Sequence, residues 1–339
     1  MAVKNQVVSE RYAIYNGDSA EMMQSIPDES IHLSIYSPPF GMEKGGALYT
    51  YSSSERDLSN ARTYEEFWEH YRFIIEQITR VTLPGRITAV HCTDIPINGG
   101  CALGGYADFP GDIIRAHRDM GWQMLPRYTI YNEPLSVRLR TMSKALSHRQ
   151  VCEDSTLSNP ASSDYLICFR KKGTNPIPVT HEHGFMDYAG ATPIPAELMQ
   201  FKGFQGKQTQ NKYSHWIWRN YAQAVWTDIR WGRVLEYKQA RDHEDEKHVH
   251  PLQLDVIERC CALYSNPNET VFTPFMGVGS EVYGAVINGR RGMGCELKES
   301  YFRQAVRNLE SIGHGEIKQD TLFFDPIECM TDPDAGDEE

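Results

Sequence analysis

The stretch Ser34-Ile35-Tyr36-Ser37-Pro38-Pro39-Phe40-Gly41 decides how the rest of the chain is interpreted. The apolar run that leads into it predicts a buried strand, which two consecutive prolines end because proline cannot donate to a strand ladder. In an open α/β sheet, ligands bind at the carboxyl ends of the strands. This corner presents a hydroxyl, backbone carbonyls that no ladder uses, and an aromatic ring. Taken alone, it is explained most simply as a strand stop with a core phenylalanine.

Composition limits the possible classes of protein. The 339 residues carry a net charge of -11, part of it in the acidic segment 324–339, which is predicted not to fold. Because no apolar run approaches the roughly 18 residues of a membrane span and no signal-peptide pattern begins the chain, we expect no membrane segment. Eight cysteines without a Cys-x-x-Cys pair argue against structural zinc and favour a reduced cytosol. We expect no metal.

Strands and helices alternate along residues 1–172, which predicts parallel strand pairing. A Gly/Ser/Tyr-rich loop at 41–61 interrupts the alternation, and Ser52–Arg56 within it is predicted to be a lid or disordered. Thr63 and Glu66 form a capping-box pattern that predicts the start of a long amphipathic helix ended by Pro84-Gly85. The predicted strands are 12–16, 31–36, 87–90, 122–131 and 164–169, and the predicted helices are 20–26, 63–82 and 113–120.

The alternation is lost between residue 173 and about residue 246. Residues 201–241 contain eight Lys/Arg and four of the six tryptophans. Basic residues interleaved with aromatics suit phosphate and base contacts, although a small aromatic core with a basic rim would give the same pattern. The candidate DNA contacts are Lys212, Arg219, Arg230 and Arg233. The acidic, His-rich run 242–250 that follows is interpreted as a solvated linker rather than a metal site.

The alternation resumes at Pro251, which is predicted to lie in the first turn of a helix. A strand at 270–272 then enters Thr273-Pro274-Phe275-Met276-Gly277-Val278-Gly279-Ser280, followed by a helix, a strand at 291–295 and Glu296. This order is typical of a nucleotide-binding half, in which glycines admit the ligand and an acid about 20 residues further on accepts from ribose hydroxyls. Val282 replaces the third glycine of the dinucleotide fingerprint, which disfavours a nicotinamide dehydrogenase.

The two motifs together, Ser-Pro-Pro-Phe at 37–40 and Pro-Phe-Met-Gly-Val-Gly-Ser at 274–280, resemble those of the DNA amino-methyltransferases in their beta arrangement. The resemblance covers nearly the whole chain. It implies an α/β fold with a Rossmann-like, permuted S-adenosylmethionine-dependent methyltransferase sheet and an inserted target-recognition module. The expected division is a catalytic half at 1–172, the module at 173–246, a cofactor-binding half at 247–323 and an acidic tail at 324–339.

The resemblance also implies roles for individual residues. Ser37, Pro38, Pro39 and Phe40 would form the catalytic corner. Thr273 departs from the family, which usually has an acidic residue before Pro-Phe. Asp18 and Glu296 could instead be helix caps. The residues implied at the cofactor are Asp18, Pro251, Thr273, Phe275, Gly277, Gly279, Ser280 and Glu296.

The residue types fit methyl transfer to an exocyclic amine of double-stranded DNA. Acceptors at Ser37 Oγ and the Pro38 carbonyl would draw the amine hydrogens out of the ring plane, and Phe40 would stack on a flipped base. Cytosine C5 methylation is set aside because no Pro-Cys occurs. Ser37 favours N4 of cytosine over N6 of adenine. The alternatives are a non-catalytic DNA-binding protein of this fold and a methyltransferase for RNA or protein. The expected location is the cytoplasm of a bacterial or phage-infected cell.

Overall fold

The computed structural model describes residues 3–42, 46–47, 57–96, 105–141, 143–240 and 251–313. Three segments with sequence-based predictions lie outside these ranges: the lid at 52–56, the His-rich run at 242–250 and the tail at 324–339. Within the described ranges, no helix is both long and apolar enough to cross a membrane.

The elements of the described chain are numbered in chain order. The strands are β1 (Val3–Val8), β2 (Tyr12–Gly17), β3 (Ile31–Tyr36), β4 (Gly41–Met42), β5 (Gly46–Ala47), β6 (Thr82–Thr93), β7 (Ile95–Pro96), β8 (Tyr106–Ala107), β9 (Gln123–Met124), β10 (Tyr128–Ile130), β11 (Asp164–Arg170), β12 (Val225–Trp226), β13 (Thr270–Thr273) and β14 (Arg291–Glu296). The helices are α1 (Ser19–Met23), α2 (Tyr64–Val81), α3 (Phe109–Asp119), α4 (Pro134–Thr141), α5 (His148–Asp154), α6 (Lys212–Tyr221), α7 (Leu254–Tyr264), α8 (Ser280–Ile287) and α9 (Glu299–Glu310).

One large sheet organises the molecule, in the order β1-β2-β14-β13-β3-β6-β11-β10-β12, with β9 also paired to β11. The five neighbouring strands β2, β14, β13, β3 and β6 are parallel to one another. Strand β11 runs antiparallel to β6. From β13 the chain crosses through α8 to β14 on one side, and from β3 it crosses through α2 to β6 on the other. This divergence leaves a crevice at the carboxyl ends of β13 and β3.

Helices cover both faces of the sheet, which makes three layers. One apolar core packs the sheet against α7, α8 and α9, and the other packs it against α1, α2 and α3. Thr63 caps α2 by accepting from the Glu66 N–H at 3.1 Å, as the capping pattern predicts. The buried face of α2 consists of Phe67, Tyr71, Ile74, Ile75, Ile78 and Val81.

Three sequence-based boundaries are wrong. The strand predicted at 122–131 is split into β9 and β10, with Pro126 between them unable to donate to the ladder. Helix α2 ends at Val81, before Pro84-Gly85, which lies within β6. The β3–β6 pairing shifts register at this point, and Gly85 adopts a φ of 71°. Pro251 precedes α7, which begins at Leu254, so Pro251 is not in the first helical turn.

The described part of the predicted module, 173–240, contains little regular structure besides α6 and β12. It has a small core of its own, formed by Phe185, Tyr213, Ile217 and Tyr221. β12 extends the sheet beside β10, and Trp226 stacks on Tyr128 with ring centroids 4.3 Å apart. Trp226 is therefore a core residue, whereas Trp218 is half exposed. The domain boundaries at 173 and 246 stay predictions.

Candidate functional site at the carboxyl edge of the sheet

The sheet brings the sequence motifs to one edge, because β2, β14, β13 and β3 are parallel neighbours. Asp18 follows β2, Glu296 ends β14, and the glycine turn follows β13, while Ser37 follows β3. The two motifs touch directly through Tyr36 and Phe275, whose ring centroids are 5.8 Å apart. Residues from both ends of the chain thus form a single crevice.

The glycine turn has the backbone that its sequence predicts. Gly277 and Gly279 have φ values of 55° and 95°, a left-handed conformation that glycine adopts at low cost. A Cβ on Gly279 would approach Ala305 Cβ at 3.1 Å, so the turn packs closely on α9. A Cβ on Gly277 would meet nothing within 4 Å. The turn therefore presents open backbone to the crevice at Gly277.

Glu296 holds the glycine turn and keeps acceptor capacity beside it. Its two carboxylate oxygens accept from the Gly277 N–H and from the Lys298 N–H, each at 2.8 Å. Burial raises the pKa of Glu296 to about 7, and the two backbone hydrogen bonds oppose that shift. A carboxylate at the end of this strand is placed to accept from the hydroxyls of a ribose.

Buried polar atoms around the turn lack partners. The hydroxyls of Thr273 and Ser280 are buried and make no hydrogen bond among the described residues. Glu281, in the first turn of α8, is only 4% exposed and has no ion-pair partner in the described part of the chain. Burial and the nearby Glu296 raise the pKa of Glu281 to about 8. Unpaired polar groups and two desolvated carboxyls suit a polar ligand that carries positive charge.

Two of the other predicted cofactor residues, Asp18 and Phe275, lie at this edge. Asp18 is the N-cap of α1, where its Oδ1 accepts from the Glu21 N–H at 3.0 Å. Its second carboxylate oxygen accepts no hydrogen bond from the residues that the structure describes. Ser19 Oγ donates to the Pro274 carbonyl, which ties α1 to the glycine turn. Phe275 is partly buried, and Pro251 is buried ahead of α7.

The Ser-Pro-Pro-Phe corner is held in place by hydrogen bonds and a ring contact to neighbouring elements. Ser37 Oγ lies 2.7 Å from His91 Nδ1 and 3.1 Å from the His91 carbonyl. Pro38 is buried, and its carbonyl accepts no hydrogen bond within the described residues. Phe40 packs edge-on against Phe109 with ring centroids 6.0 Å apart. Pro39 and Phe40 are both partly exposed, so the corner is accessible from the crevice.

The sequence analysis missed two residues of this site, His91 and Asp164. His91 lies on β6 beside Ser37, and its Nε2 is 3.4 Å from Asp164 Oδ2 at the start of β11. Asn132 Nδ2 donates to Asp164 Oδ1 at 3.1 Å. The only sequence signal for His91 is a histidine continuing an apolar strand, since the predicted strand stopped at residue 90.

The four predicted DNA contacts fall into two pairs. Lys212 and Arg219 are exposed on α6, with the Lys212 ammonium 5.2 Å from the Phe201 ring centroid. Arg230 and Arg233 instead bind Asp255 of α7 at 2.6 and 2.7 Å, and Arg233 also binds Glu258 at 2.6 Å. These ion pairs give Arg230 and Arg233 a role in joining the predicted module to α7. Their role as DNA contacts stays a prediction.

No group of three or more His, Cys, Asp or Glu in the described ranges is arranged to hold a metal ion.

Comparison with known proteins identifies the family. A family model described as DNA methylase, of the N6/N4 group, matches residues 31–307. The type II methyltransferase M.BglII of Bacillus subtilis is 25% identical over 303 residues, which are 87% of this chain and 68% of the relative. M.MthZI of Methanothermobacter thermautotrophicus is 22% identical over 86% of this chain and 74% of its own. A shorter match, 29% identical over 24% of this chain and 29% of the relative, is to the DNA adenine methyltransferase YhdJ of Escherichia coli.

Solved structures show the same fold. TTHA0409 of Thermus thermophilus, named for a DNA modification methylase, is similar in its complex with S-adenosylmethionine at a TM-score of 0.57 and 19% identity. That similarity covers 91% of this chain and 96% of the other. PvuII DNA methyltransferase, which is cytosine-N4-specific, gives a TM-score of 0.56 at 14% identity, over 90% and 89% of the two chains.

S-Adenosylmethionine, with its ribose, sulfonium and ammonium groups, fits the acceptors, open turn and desolvated carboxyls of the crevice. The chain belongs to the N6/N4 DNA methylase family and is an S-adenosylmethionine-dependent methyltransferase that acts on an amino group of DNA bases.

Proposed function

We propose that this methyltransferase acts on the N4 amine of cytosine, at a specific site in double-stranded DNA and on a base flipped out of the duplex. The observation that carries the proposal is the position of Ser37 Oγ, at the carboxyl end of β3 and beside the cofactor turn of β13.

Ser37 is oriented as a hydrogen-bond acceptor. Its hydroxyl proton has two nearby acceptors, His91 Nδ1 and the His91 carbonyl, so its lone pairs remain available to a base amine. The Pro38 carbonyl, unpaired within the described chain, offers a second acceptor. Two acceptors around an NH₂ group draw its hydrogens out of the ring plane and free the nitrogen lone pair for attack. Bound S-adenosylmethionine would supply the electrophilic methyl group.

Phe40 supports the proposal that the base is flipped. The exocyclic amine of a paired base is inside the duplex, so an enzyme must extrude the nucleotide to reach it. Phe40 is partly exposed and held by Phe109, which gives the flipped ring a fixed aromatic surface for stacking. The exposed cations Lys212 and Arg219 of α6 would contact the DNA backbone from the module proposed at 173–246.

The choice of cytosine rests on the identity of residue 37. In this family, serine before Pro-Pro accompanies N4-cytosine methylation more often, whereas aspartate or asparagine accompanies adenine. Methylation of adenine N6 is the second candidate, favoured by the match to a relative named as an adenine methyltransferase. We place either reaction in the cytoplasm of a bacterial or phage-infected cell.

The test is to incubate the protein with unmethylated duplex DNA and methyl-labelled S-adenosylmethionine, digest the DNA, and identify the labelled nucleoside. The proposal predicts N4-methylcytosine at one recurring sequence. N6-methyladenine would replace the proposal with the second candidate. Label in RNA or protein but not in DNA would contradict both.

A further inference from the structure

A chain of polar side chains runs from Ser37 into the sheet. Because Tyr36 on β3 pairs with Val90 on β6, the next residues, Ser37 and His91, are neighbours. Ser37 Oγ is 2.7 Å from His91 Nδ1, and His91 Nε2 is 3.4 Å from Asp164 Oδ2. A serine just after β3, a histidine on β6 and an aspartate on β11 are thus consecutive neighbours in space.

The ion-pair geometry assigns the histidine tautomer. His91 Nε2 lies 3.4 Å from Asp164 Oδ2 without making a hydrogen bond to it in the structure, so their contact is electrostatic. A nearby carboxylate favours the tautomer with the hydrogen on Nε2, and we assign that tautomer, in which Nδ1 accepts from the Ser37 hydroxyl. Asp164 is held in place by Asn132, which also donates to the Ser162 carbonyl at 2.9 Å. The His91 and Asp164 side chains are 12% and 11% exposed, so water screens their interaction only weakly.

Methylation of an amine creates a proton that must leave. The amine nitrogen forms a bond to the methyl carbon as the carbon–sulfur bond breaks, and the electron pair of that bond stays on sulfur. The nitrogen then carries a positive charge and one hydrogen too many, and a positioned base lowers the cost of that charge. Among the described side chains at the corner, the Ser37 hydroxyl is the group hydrogen-bonded to such a base.

We propose that His91 takes up, through Ser37, the proton released by the target amine, and that Asp164 stabilises the resulting imidazolium. The amine proton passes to Ser37 Oγ while the Ser37 hydroxyl proton passes to His91 Nδ1, so Ser37 is unchanged and His91 gains one proton. His91 and Asp164 act through Ser37 and are positioning residues. The inference rests on the proposed methylation of a base amine at Ser37, and it holds for cytosine and adenine alike.

Other titratable and charged groups near His91 on β6 interact mainly with one another. The neighbouring Cys92 thiol, whose pKa burial raises well above its ordinary value, interacts electrostatically with Asp164, Asp94, Arg127 and Asp108. Asp94 accepts from Tyr165, and Arg127 lies 4.8 Å from the Tyr165 ring centroid. Within the described chain, the ion-pair contact to the His91 ring itself comes from Asp164 alone.

The experiment compares the wild-type protein with His91→Gln and Asp164→Asn under single-turnover conditions, at saturating S-adenosylmethionine and DNA, across pH. For His91→Gln we expect the rate constant to fall roughly a hundredfold, with the Kd of cofactor and DNA within twofold of wild type. The wild-type rate constant should fall at low pH, because a protonated imidazole cannot accept another proton. In His91→Gln this decrease at low pH should be absent. Asp164→Asn should slow the reaction less than His91→Gln does, and its decrease in rate constant should begin at a lower pH than in the wild type.

A purely structural histidine would change stability without changing the pH profile. His32→Gln is the matched control, since His32 lies on β3 and accepts from the Thr270 N–H at 3.3 Å, away from the crevice. It should keep the wild-type rate and profile. Wild-type rate and profile in His91→Gln would overturn the inference, and if that variant fails to fold, a wild-type rate in Asp164→Asn would do so. A wild-type protein that transfers no methyl group to DNA would instead contradict the proposed function.

Discussion

At the scale of a single residue, the Glu296 carboxylate anchors the glycine turn, and we propose that it also accepts from the cofactor ribose. The hydrogen bonds from the Gly277 and Lys298 N–H groups preorganise it, whereas burial raises its pKa to about 7. Near neutral pH, the free protein therefore holds a mixture of ionised and protonated Glu296. Ribose hydroxyls donate best to the ionised form.

Cofactor affinity should consequently rise with pH. Protonation competes with binding, so the Kd for S-adenosylmethionine should fall by roughly tenfold between pH 6 and pH 8, as measured by calorimetry. Glu296→Gln should bind more weakly at pH 8 and show a shallower dependence on pH, of which the neighbouring Glu281 retains a part. The exposed neighbour Glu299 is the control, and Glu299→Gln should retain the wild-type slope. An equal Kd at both pH values in the wild type would contradict the role of Glu296.

Residues differ in how far the sequence predicts them. Ser37, Gly277, Gly279 and Glu296 lie in continuous motifs, so their spacing along the chain indicates their chemistry. His91 and Asp164 meet only because β6 and β11 pair antiparallel, with Asp164 opposite Thr93. That register is a tertiary fact, and neither residue has a local motif that predicts the contact.

At the scale of elements, α7 joins the predicted module to the methyltransferase sheet. Asp255 on α7 is fully buried, accepts from both Arg230 and Arg233, and also accepts from the Arg230 N–H at 2.9 Å. A third arginine, Arg259 on the same helix, reaches Asp228 at 2.7 Å. Both sides of the junction thus contribute charged groups that pair across it.

Removing the buried carboxylate should destabilise the protein, because Arg230 loses its carboxylate partner and Arg233 keeps only Glu258. Asp255→Asn should lower the free energy of unfolding by about 2–3 kcal/mol, as measured by urea denaturation. Asp187, whose ion pair with Lys202 is exposed, is the control, and Asp187→Asn should cost no more than about 1 kcal/mol. Equal effects of the two substitutions would show that the junction is not the structural tie described above.

Helix α6 presents two exposed cations, Lys212 and Arg219, for which we propose contacts to DNA. Arg219→Ala should weaken DNA binding across sequences and reduce the slope of log K against log salt by about 0.9, with cofactor affinity unchanged. Fluorescence anisotropy at several salt concentrations measures this. Arg72→Ala, which removes an exposed arginine of α2, is the control and should leave the slope unchanged. An unchanged slope in Arg219→Ala would remove Arg219 from the DNA interface.

The elements also show why one half of the fold is easier to predict than the other. Helix α2 and strands β3, β13 and β14 have strong periodicity or buried apolar runs, and the structure confirms them. Between 173 and 240, short turns and two small elements hold together through ion pairs and aromatic contacts. Those interactions have no period along the chain, so sequence patterns leave the segment unassigned.

At the scale of the whole molecule, the order of strands along the chain differs from their order in the sheet, because two late strands lie between two early ones. The first 36 residues supply β3, which leads into the Ser-Pro-Pro-Phe corner. Strands β13 and β14 follow only after residue 269 and insert between β2 and β3. The order of motifs along the sequence predicts this permuted sheet. The consequence is that the glycine turn and the Ser-Pro-Pro-Phe corner lie side by side at one crevice, where we propose that cofactor and target base meet.

Substitutions at the Ser-Pro-Pro-Phe corner and at the glycine turn should therefore affect different steps, methyl transfer in the first case and cofactor binding in the second. Ser37→Ala removes an acceptor for the base amine and leaves the glycine turn intact, so methyl transfer should be lost while cofactor affinity is kept. Glu296→Ala removes an acceptor for the cofactor, so the Kd for S-adenosylmethionine should rise while the rate at saturating cofactor largely recovers.

The central claim is that Ser37 serves the base and not the cofactor. The most direct measurement is a calorimetric titration of Ser37→Ala with S-adenosylmethionine, paired with a single-turnover methylation assay on the same preparation. The account predicts a wild-type Kd together with a rate constant lowered by roughly a hundredfold or more. A variant that fails to bind cofactor, or one that methylates DNA at the wild-type rate, would contradict it.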